Sequence, residues 1–479
     1  MFERRCLILF VSLILSVVLL VSCAAASGTN PPETDPSAGG GTSETADSAS
    51  SSSPAESEPE QTEPSGPESE DPKPVYTPPE DGSFTICGID LSEYAPMLYF
   101  TGSGEYARLN RPSITRGIEK SALSALGLEW SIKVIKVDKY LTERRSDHEI
   151  LFGKEFRREG IPEYDSSRSC YGVTADGTVY FQSPSPMLYP YMWRLFLEEF
   201  MGVPVGSESM SLGCAVTECY REVPTLNHAE LEREGYALVF EDEFQGEDLD
   251  WDVWRFRMGG QAVDFNERSL VRLEDGILFL AGDYLADGSA GAGWYGSAVA
   301  LNQRYARGVF EAKIRCSEAP DGRYGRYWTA FWLQGPNPYV DDLSQGGAGP
   351  GGTEIDIVEN FGPDYHTSNF WVSGVENKKG IAGKDNLSNE LYEVYNLGYD
   401  YAKDFHTYTL IWDEEFYRIY IDGLLIACTD FYSGTSPAEE EVVLSLECQN
   451  TQGEPPETAG SGRVEMAVDY LRIWQKSAE

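Results

Sequence analysis

This chain is poor in the residues that most enzyme chemistries need. Among 479 residues there are only four histidines, His148, His228, His366 and His406, and no two stand at zinc-ligand spacing. There is no Cys-x-x-Cys pair, no phosphate-cradling P-loop and no nucleophile-elbow serine, which removes the usual redox, nucleotide and serine-hydrolase readings. Positive charge is scarce as well: 37 Lys and Arg stand against 78 Asp and Glu, a formal net charge of −41. With no basic stripe to neutralise phosphates, nucleic acid is excluded as a partner. Polyanions are disfavoured for the same reason, although Arg323 and Arg326 could form a small local anion site.

Nine cysteines do not describe a disulfide scaffold. Cys6 and Cys23 belong to the N-terminus, and the seven that remain are odd in number and loosely spaced. Cys214 and Cys219 are close enough in sequence to pair across a short loop, but no bridge is required.

A long apolar run occurs at the N-terminus. Arg4 and Arg5 precede Leu7–Val21, and small residues follow, the three-part pattern of a secretory signal. About fifteen apolar residues are short for a spanning helix. Leu20-Val21-Ser22-Cys23 resembles a bacterial lipobox. That resemblance implies residues 1–23 as a lipoprotein signal, Cys23 as the lipidated first mature residue, and a chain anchored on the extracellular face of the cell membrane. Residues 24–82 are dominated by Ser, Glu, Pro, Gly, Thr and Ala, with Lys73 as their single base. Such a segment cannot bury enough apolar surface to fold, and as a flexible tether it would reach roughly 40–45 Å.

Residues 83–225 read as a small α+β domain. Ser113 to Gly127 has a capping serine, Ile114, Ile118 and Ala122 at helical spacing, and a terminating glycine, which predicts a helix. Ser131–Val137 and His148–Phe152 read as strands. Tyr171–Thr174 and Thr178–Phe181 flank Asp176-Gly177 as a hairpin, and Pro190–Phe200 reads as an amphipathic helix ended by Gly202 and Pro204. The His148–Gly153 run, the hairpin and the following helix resemble the α/β domains that precede catalytic domains in some bacterial α-glucuronidases and hexosaminidases. No catalytic constellation stands out here.

Residues 226–479 read differently. Short apolar or alternating runs recur between the turn signals Asp275-Gly276, Asp287-Gly288, Asp321-Gly322 and Asp422-Gly423, the pattern of an all-β sandwich. Within it lies Glu354-Ile355-Asp356-Ile357-Val358-Glu359. A strand presents successive side chains to opposite faces, so Glu354 and Asp356 share one face. Glu359 joins them only if a β-bulge supplies one extra residue. Two carboxyl groups about 5–5.5 Å apart are what a retaining glycosidase needs, one to attack the sugar and one to donate a proton. Upstream, Trp328-Thr329-Ala330-Phe331-Trp332 puts two tryptophans on one side of a strand, and aromatic faces suit the apolar faces of sugar rings.

These landmarks, with Gly235–Phe244, Leu249–Trp254, Asp275–Leu278, Arg307–Ile314, Phe405–Tyr408 with Trp412, Tyr420–Gly423 and Val468–Ile473, resemble the glycoside hydrolase family 16 catalytic domain of the laminarinase-like group. The resemblance implies a β-jelly roll with an open cleft. It implies Glu354 as nucleophile, Glu359 as acid/base and Asp356 between them, the last keeping Glu359 partly protonated by charge repulsion. Trp328, Trp332 and Trp371 match sugar-contacting positions, and Asn266 falls near others. The histidine usual before Trp371 is absent, Phe370 standing in its place, and His366 is the nearby residue that could substitute. No cofactor is required, but Glu243, the Gly276 carbonyl and Asp469 resemble a structural calcium site. The expected protein is a monomeric, surface-anchored enzyme acting on a polysaccharide, β-1,3- or mixed-linkage glucan, by retaining endo-hydrolysis. A β-galactanase of the agarase kind and a non-catalytic glycan-binding protein are the alternatives.

Overall fold

The computed structural model describes residues 85–100, 111–136, 143–201, 215–258, 266–318, 326–335, 352–362, 366–373, 387–394, 397, 399–430, 435–449, 453–456, 460 and 462–476. The signal, Cys23 and the tether lie outside the described residues, as do Cys214, Asp321-Gly322 and Arg323. Among the described residues no helix is long and apolar enough to cross a membrane.

Residues 95–222 build a six-stranded sheet in the order Lys133–Lys136, Ala95–Phe100, Glu149–Phe152, Val179–Gln182, Cys170–Val173, Cys219–Glu222. The first four strands are mutually parallel, Cys170–Val173 runs antiparallel to them, and Cys219–Glu222 is antiparallel to Cys170–Val173. Parallel neighbours need a crossover, and the helix Arg111–Leu126 supplies one between Ala95–Phe100 and Lys133–Lys136. This helix begins two residues before Ser113, so that serine lies inside the first turn rather than capping it. Ile114, Ile118 and Ala122 are fully buried along one stripe, the face a 3.6-residue period selects. Gly127, at φ +69°, ends the helix. The helix crosses Tyr189–Met201, where a Cβ on Gly117 would meet Pro190 Cβ at 3.0 Å. Trp193 stacks on Phe196 with centroids 5.5 Å apart and meets Phe152 and Phe181 edge-on beneath the sheet.

Residues 236–476 form two further antiparallel sheets packed face to face. One follows the order Val271–Glu274, Ile277–Gly288, Val464–Lys476, Gly308–Arg315, His406–Trp412, Tyr417–Ile421, Leu424–Thr429, with Tyr236–Asp242 and Gly291–Tyr295 joining its margins. The other follows Trp254–Phe256, Ser297–Leu301, Glu441–Cys448, Tyr327–Gln334, Glu354–Asn360, His366–Ser373, Leu387–Val394. This is the β-sandwich expected from the alternating pattern. Two-residue turns at Asp275-Gly276 and Asp422-Gly423 have φ of 52° and 75°, and of 49° and 80°. Positive φ at both centres matches the right-handed twist of the joined strands, which is why Asp-Gly closes these hairpins. Asp287-Gly288 instead belongs to the strand, and its hairpin closes one step later, with Gly288 opposite Gly291.

The sandwich core fills with alternate residues of both sheets. Phe331, Leu333, Ile355 and Phe370 come from the seven-stranded sheet and Phe310, Leu410, Trp412 and Tyr417 from the other, all under 1% exposed. Phe370 meets Tyr417 across the core at 5.2 Å. Phe370 therefore faces the core, and burial of a large aromatic ring there stabilises the sheet pairing.

The six-stranded region touches the sandwich directly. Ser185 Oγ donates to the Ile426 carbonyl at 2.8 Å, and the Leu226 N–H to the Gly423 carbonyl at 2.8 Å. Tyr191 packs edge-on to Phe416 at 6.5 Å. From the short helix His228–Arg233, His228 Nε2 reaches Glu311 Oε2 at 2.9 Å.

Candidate active site

The strand Glu354–Asn360 carries the bulge that the three acids require. Glu354, Ile355 and Asp356 pair with Trp371, Phe370 and Asn369, whereas Glu359 and Asn360 pair with Thr367 and His366, one residue out of step. On the opposite flank Asp356 faces Trp332 while Val358 faces Phe331, leaving Ile357 unmatched. One extra residue restores parity. Glu354, Asp356 and Glu359 thereby share the sheet face directed away from the core, and Ile355 and Val358 remain buried.

Neighbouring strands supply the rest of this face. Gln334 Nε2 donates to Glu354 Oε2 at 3.1 Å. Gln334 Oε1 in turn accepts from Arg257 at 2.8 Å, so the amide is oriented from both ends. Arg257 also donates to Glu441 Oε1 at 3.2 Å, and Arg255 and Arg304 ion-pair with the same carboxylate at 2.5 and 3.5 Å. The end of the face beside Glu354 is thus cationic in balance.

Trp328 Nε1 donates to Glu359 Oε1 at 3.1 Å, and the Trp328 ring stacks on Phe361 at 5.5 Å. Burial pushes the Glu354 carboxyl above its usual range. The Gln334 hydrogen bond and the Arg257 charge pull it down, and the Glu447 charge adds to the rise. Asp356 lies between the two glutamates and is 5% exposed.

The other expected contacts divide. Trp332 is 9% exposed; its Nε1 donates to Ser445 Oγ at 3.0 Å, and the Arg257 guanidinium lies 4.4 Å over the ring. Cation–π contact and packing against Ala300, Ala330 and Val443 occupy it, so Trp332 is a floor of the cleft rather than an open sugar platform. Trp371 pairs in register with Glu354, but its side chain lies outside the described residues. Asn266 is buried, and its Nδ2 donates to the Arg257 carbonyl at 2.9 Å. It acts on the cleft by fixing the backbone of Arg257, not as an exposed sugar contact.

His366 does not replace the missing histidine of the cleft. It pairs with Asn360, one step from the Glu359 position, and is therefore directed to the opposite face. There it is buried against Tyr401 at 4.1 Å, with Nδ1 2.7 Å from Asn360 Nδ2. Desolvation and the nearby His406 push the imidazole down to about 3, which leaves it neutral. His406 is likewise buried, its Nδ1 2.7 Å from Asp422 Oδ2, while its Nε2 has no hydrogen-bond partner among the described residues.

The carboxylates of the expected calcium site make other contacts. Glu243 Oε1 accepts from Arg472 at 2.5 and 3.1 Å, and Asp469 Oδ2 ion-pairs with Lys313 Nζ at 2.7 Å. Each carboxylate already faces a fixed cation, so the charge that would hold a divalent ion is neutralised. Among the described residues no group of three His, Cys, Asp or Glu could hold a metal.

Sequence reading missed Arg257, Gln334, Glu441 and Glu447. The signal for the last two was present in Glu441-Val442-Val443-Leu444-Ser445-Leu446-Glu447, where apolar 442, 444 and 446 mark the core face and the odd positions face the cleft. Arg257 carries no such mark, because only strand order brings it beside Gln334.

Comparison with known proteins agrees with this geometry. Residues 256–451 match the model for "Glycosyl hydrolases family 16". A glucan endo-1,3-beta-glucosidase from Cryptopygus antarcticus is 25% identical over 276 residues, covering 50% of this chain and 92% of that protein. A beta-1,3-glucan-binding protein from Penaeus monodon is 27% identical over 246 residues, 42% of this chain and 64% of its own. The laminarinase catalytic domain from Thermotoga maritima MSB8 superposes with a TM-score of 0.39 at 20% identity, over 51% of this chain and 100% of that one. The matched segment contains the bulged acidic strand and both strands that flank it; it resembles a glycosyl hydrolase family 16 domain, and the chain is a glycoside hydrolase.

Proposed function

We propose that this chain is a retaining, endo-acting β-glucanase that cleaves β-1,3 or mixed β-1,3/1,4 linkages. The observation that carries the reading is the bulge between Asp356 and Glu359, which sets Glu354 and Glu359 on one face. In the first step Glu354 attacks the anomeric carbon as Glu359 gives its proton to the departing oxygen. The glycosidic C–O bond breaks and a glycosyl ester forms. In the second, Glu359 takes a proton from water, water attacks the anomeric carbon, and Glu354 leaves as carboxylate. The glucan assignment draws support from the endo-1,3-beta-glucosidase relative.

We further infer a lipid anchor at Cys23 and a cell-surface location, from Arg4-Arg5, the apolar run and Leu20–Cys23. A tether of that composition would let the domain work on polymer near the membrane. The glucan-binding relative favours capture without cleavage as the second reading. Three crowded carboxylates weigh against it, because a binder gains nothing from mutually repelling acids.

The test is release of new reducing ends from laminarin, mixed-linkage glucan and agarose by the chain lacking its first 23 residues. Glucan cleavage is expected, with the first product carrying the β anomer by NMR. Glu354→Gln and Glu359→Gln should each lower kcat by about 100-fold or more. Near-normal turnover in either variant overturns the assignment. Cleavage of agarose alone moves the enzyme to the galactanases, and gel retardation without cleavage favours the binder.

A further inference from the structure

The cleft face holds two further carboxylates, Glu441 and Glu447, that the double-displacement scheme does not use. Glu447 stands opposite Trp328 in the pairing of Tyr327–Gln334 with Glu441–Cys448. It shares the cleft face with Glu441 and Ser445, which are occupied: Glu441 by three arginines, Ser445 by the Trp332 indole. Glu447 is not. Its Oε1 is shielded from solvent and has no hydrogen-bond partner among the described residues. Leaving a carboxylate oxygen shielded and unpaired is costly, and native structures keep such groups where something else completes them.

The surroundings limit what can do so. Trp328 spends its N–H on Glu359 and one ring face on Phe361, and no arginine or lysine pairs with Glu447 among the described residues. Completing the carboxylate therefore takes a donor from outside the described residues. The carboxylate repels an anionic substituent, since Glu354 and Glu359 share the face.

We propose that Glu447 is a specificity-determining residue that accepts hydrogen bonds from the hydroxyls of a neutral hexose unit lying beside Trp328 and Glu359. The contact rests on the β-glucanase reading of the same cleft. It adds to that reading a charged acceptor that selects rings with free hydroxyl donors. Glu447 takes no part in bond making. Its charge also bears on Glu354, whose carboxyl it pushes up.

The contact is tested by calorimetric titration of laminarihexaose into the chain lacking its first 23 residues. An inactive Glu354→Gln background is used so that no sugar is consumed. Adding Glu447→Ala should weaken Kd by about tenfold, the loss of one hydrogen bond to a charged acceptor, and Glu447→Gln by about threefold. Unchanged Kd in Glu447→Ala overturns the proposal, as does loss of the cooperative melt in Glu447→Gln, which would make the carboxylate a structural group. Absence of any hexaose binding in the Glu354→Gln chain overturns it together with the glucan assignment. Cleavage by the wild-type chain is read separately. Glu447-dependent binding without cleavage supports the contact and overturns only the hydrolase reading.

Discussion

At the scale of single residues, donors are aimed at the two carboxylates of the proposed mechanism. Gln334 is oriented by Arg257 and donates to Glu354. Trp328 donates to Glu359. A hydrogen bond to a carboxylate favours its ionised form, whereas a general acid must enter the reaction protonated. Trp328→Phe keeps the ring and its stacking on Phe361 but removes the N–H. The alkaline limb of kcat/KM should therefore move to higher pH, with kcat falling about three- to tenfold because Glu359 loses its orientation. A pH–rate profile on laminarin checks this. An unmoved limb with a raised KM would return Trp328 to the role of sugar platform alone.

At the scale of elements, the short helix His228–Arg233 is tied to the sandwich by a pair that titrates. Asn227 caps the helix by accepting from the Ala229 N–H at 3.1 Å. His228 then reaches Glu311, which also accepts from Thr409 Oγ1 at 2.9 Å and Tyr470 at 3.1 Å. The Glu311 hydrogen bond raises the His228 pKa against partial desolvation and the Arg472 charge, with Glu232 adding to the rise. Glu311 is lowered: desolvation opposes, but the bonds and charge of His228 and the two hydroxyls outweigh it.

A raised histidine contributes stability that is complete below its unfolded pKa and lost as pH rises through the folded value. A lowered carboxylate contributes above its unfolded pKa and loses that contribution as pH falls through the folded value. The pair thus stabilises most between about pH 4.5 and 6.5, the unfolded values of the two groups. His228→Gln should lower the denaturant midpoint clearly near pH 5.5, and the difference should shrink steadily above pH 7. Urea titrations at pH 5.5 and 8.5 measure it, and an equal loss at both would show that packing on Trp474, 5.5 Å away, carries the contact.

At the scale of the whole molecule, the six-stranded region and the sandwich share buried surface. Tyr191 lies against Phe416, Ser185 bonds Ile426, and burial beside Cys428 pushes the Tyr191 hydroxyl well above its usual range. Cys428 is buried there as well, and Arg418 is partly buried. Removing residues 24–225 would bare this apolar surface and leave Arg418 with Asp413 at the new edge. The segment 226–479 should therefore melt at least about 5 °C below the chain that retains residues 24–225, since each kcal/mol shifts a domain of this size by roughly 2–4 °C. Differential scanning calorimetry of the two chains decides it. Equal melting temperatures would make the contact incidental.

Local pattern was enough for much of this. Alternation and Asp-Gly turns made the sandwich legible, because each strand and two-residue turn depends on neighbours in sequence. The helix Arg111–Leu126 and the hairpin at Asp176-Gly177 were legible for the same reason. The bulge was inferable because three acids on one face leave no other parity, and the register shift between Asp356 and Glu359 bears that out.

What depends on strand order was not legible. Arg257, Gln334, Glu441 and Glu447 come from strands far apart in sequence, and only the sheet order sets them around Glu354 and Glu359. Tertiary structure alone decided that Phe370 and His366 face the core, that Trp332 lies under Arg257, and that Asn266 holds a backbone carbonyl. It also decided that Glu243 and Asp469 are spent on Arg472 and Lys313. A residue's type says what bonds it can make, but which partner wins is set by geometry between segments that the linear chain does not encode locally. The sequence thus determined the chemistry of the acidic strand, and the fold decided which neighbours tune it.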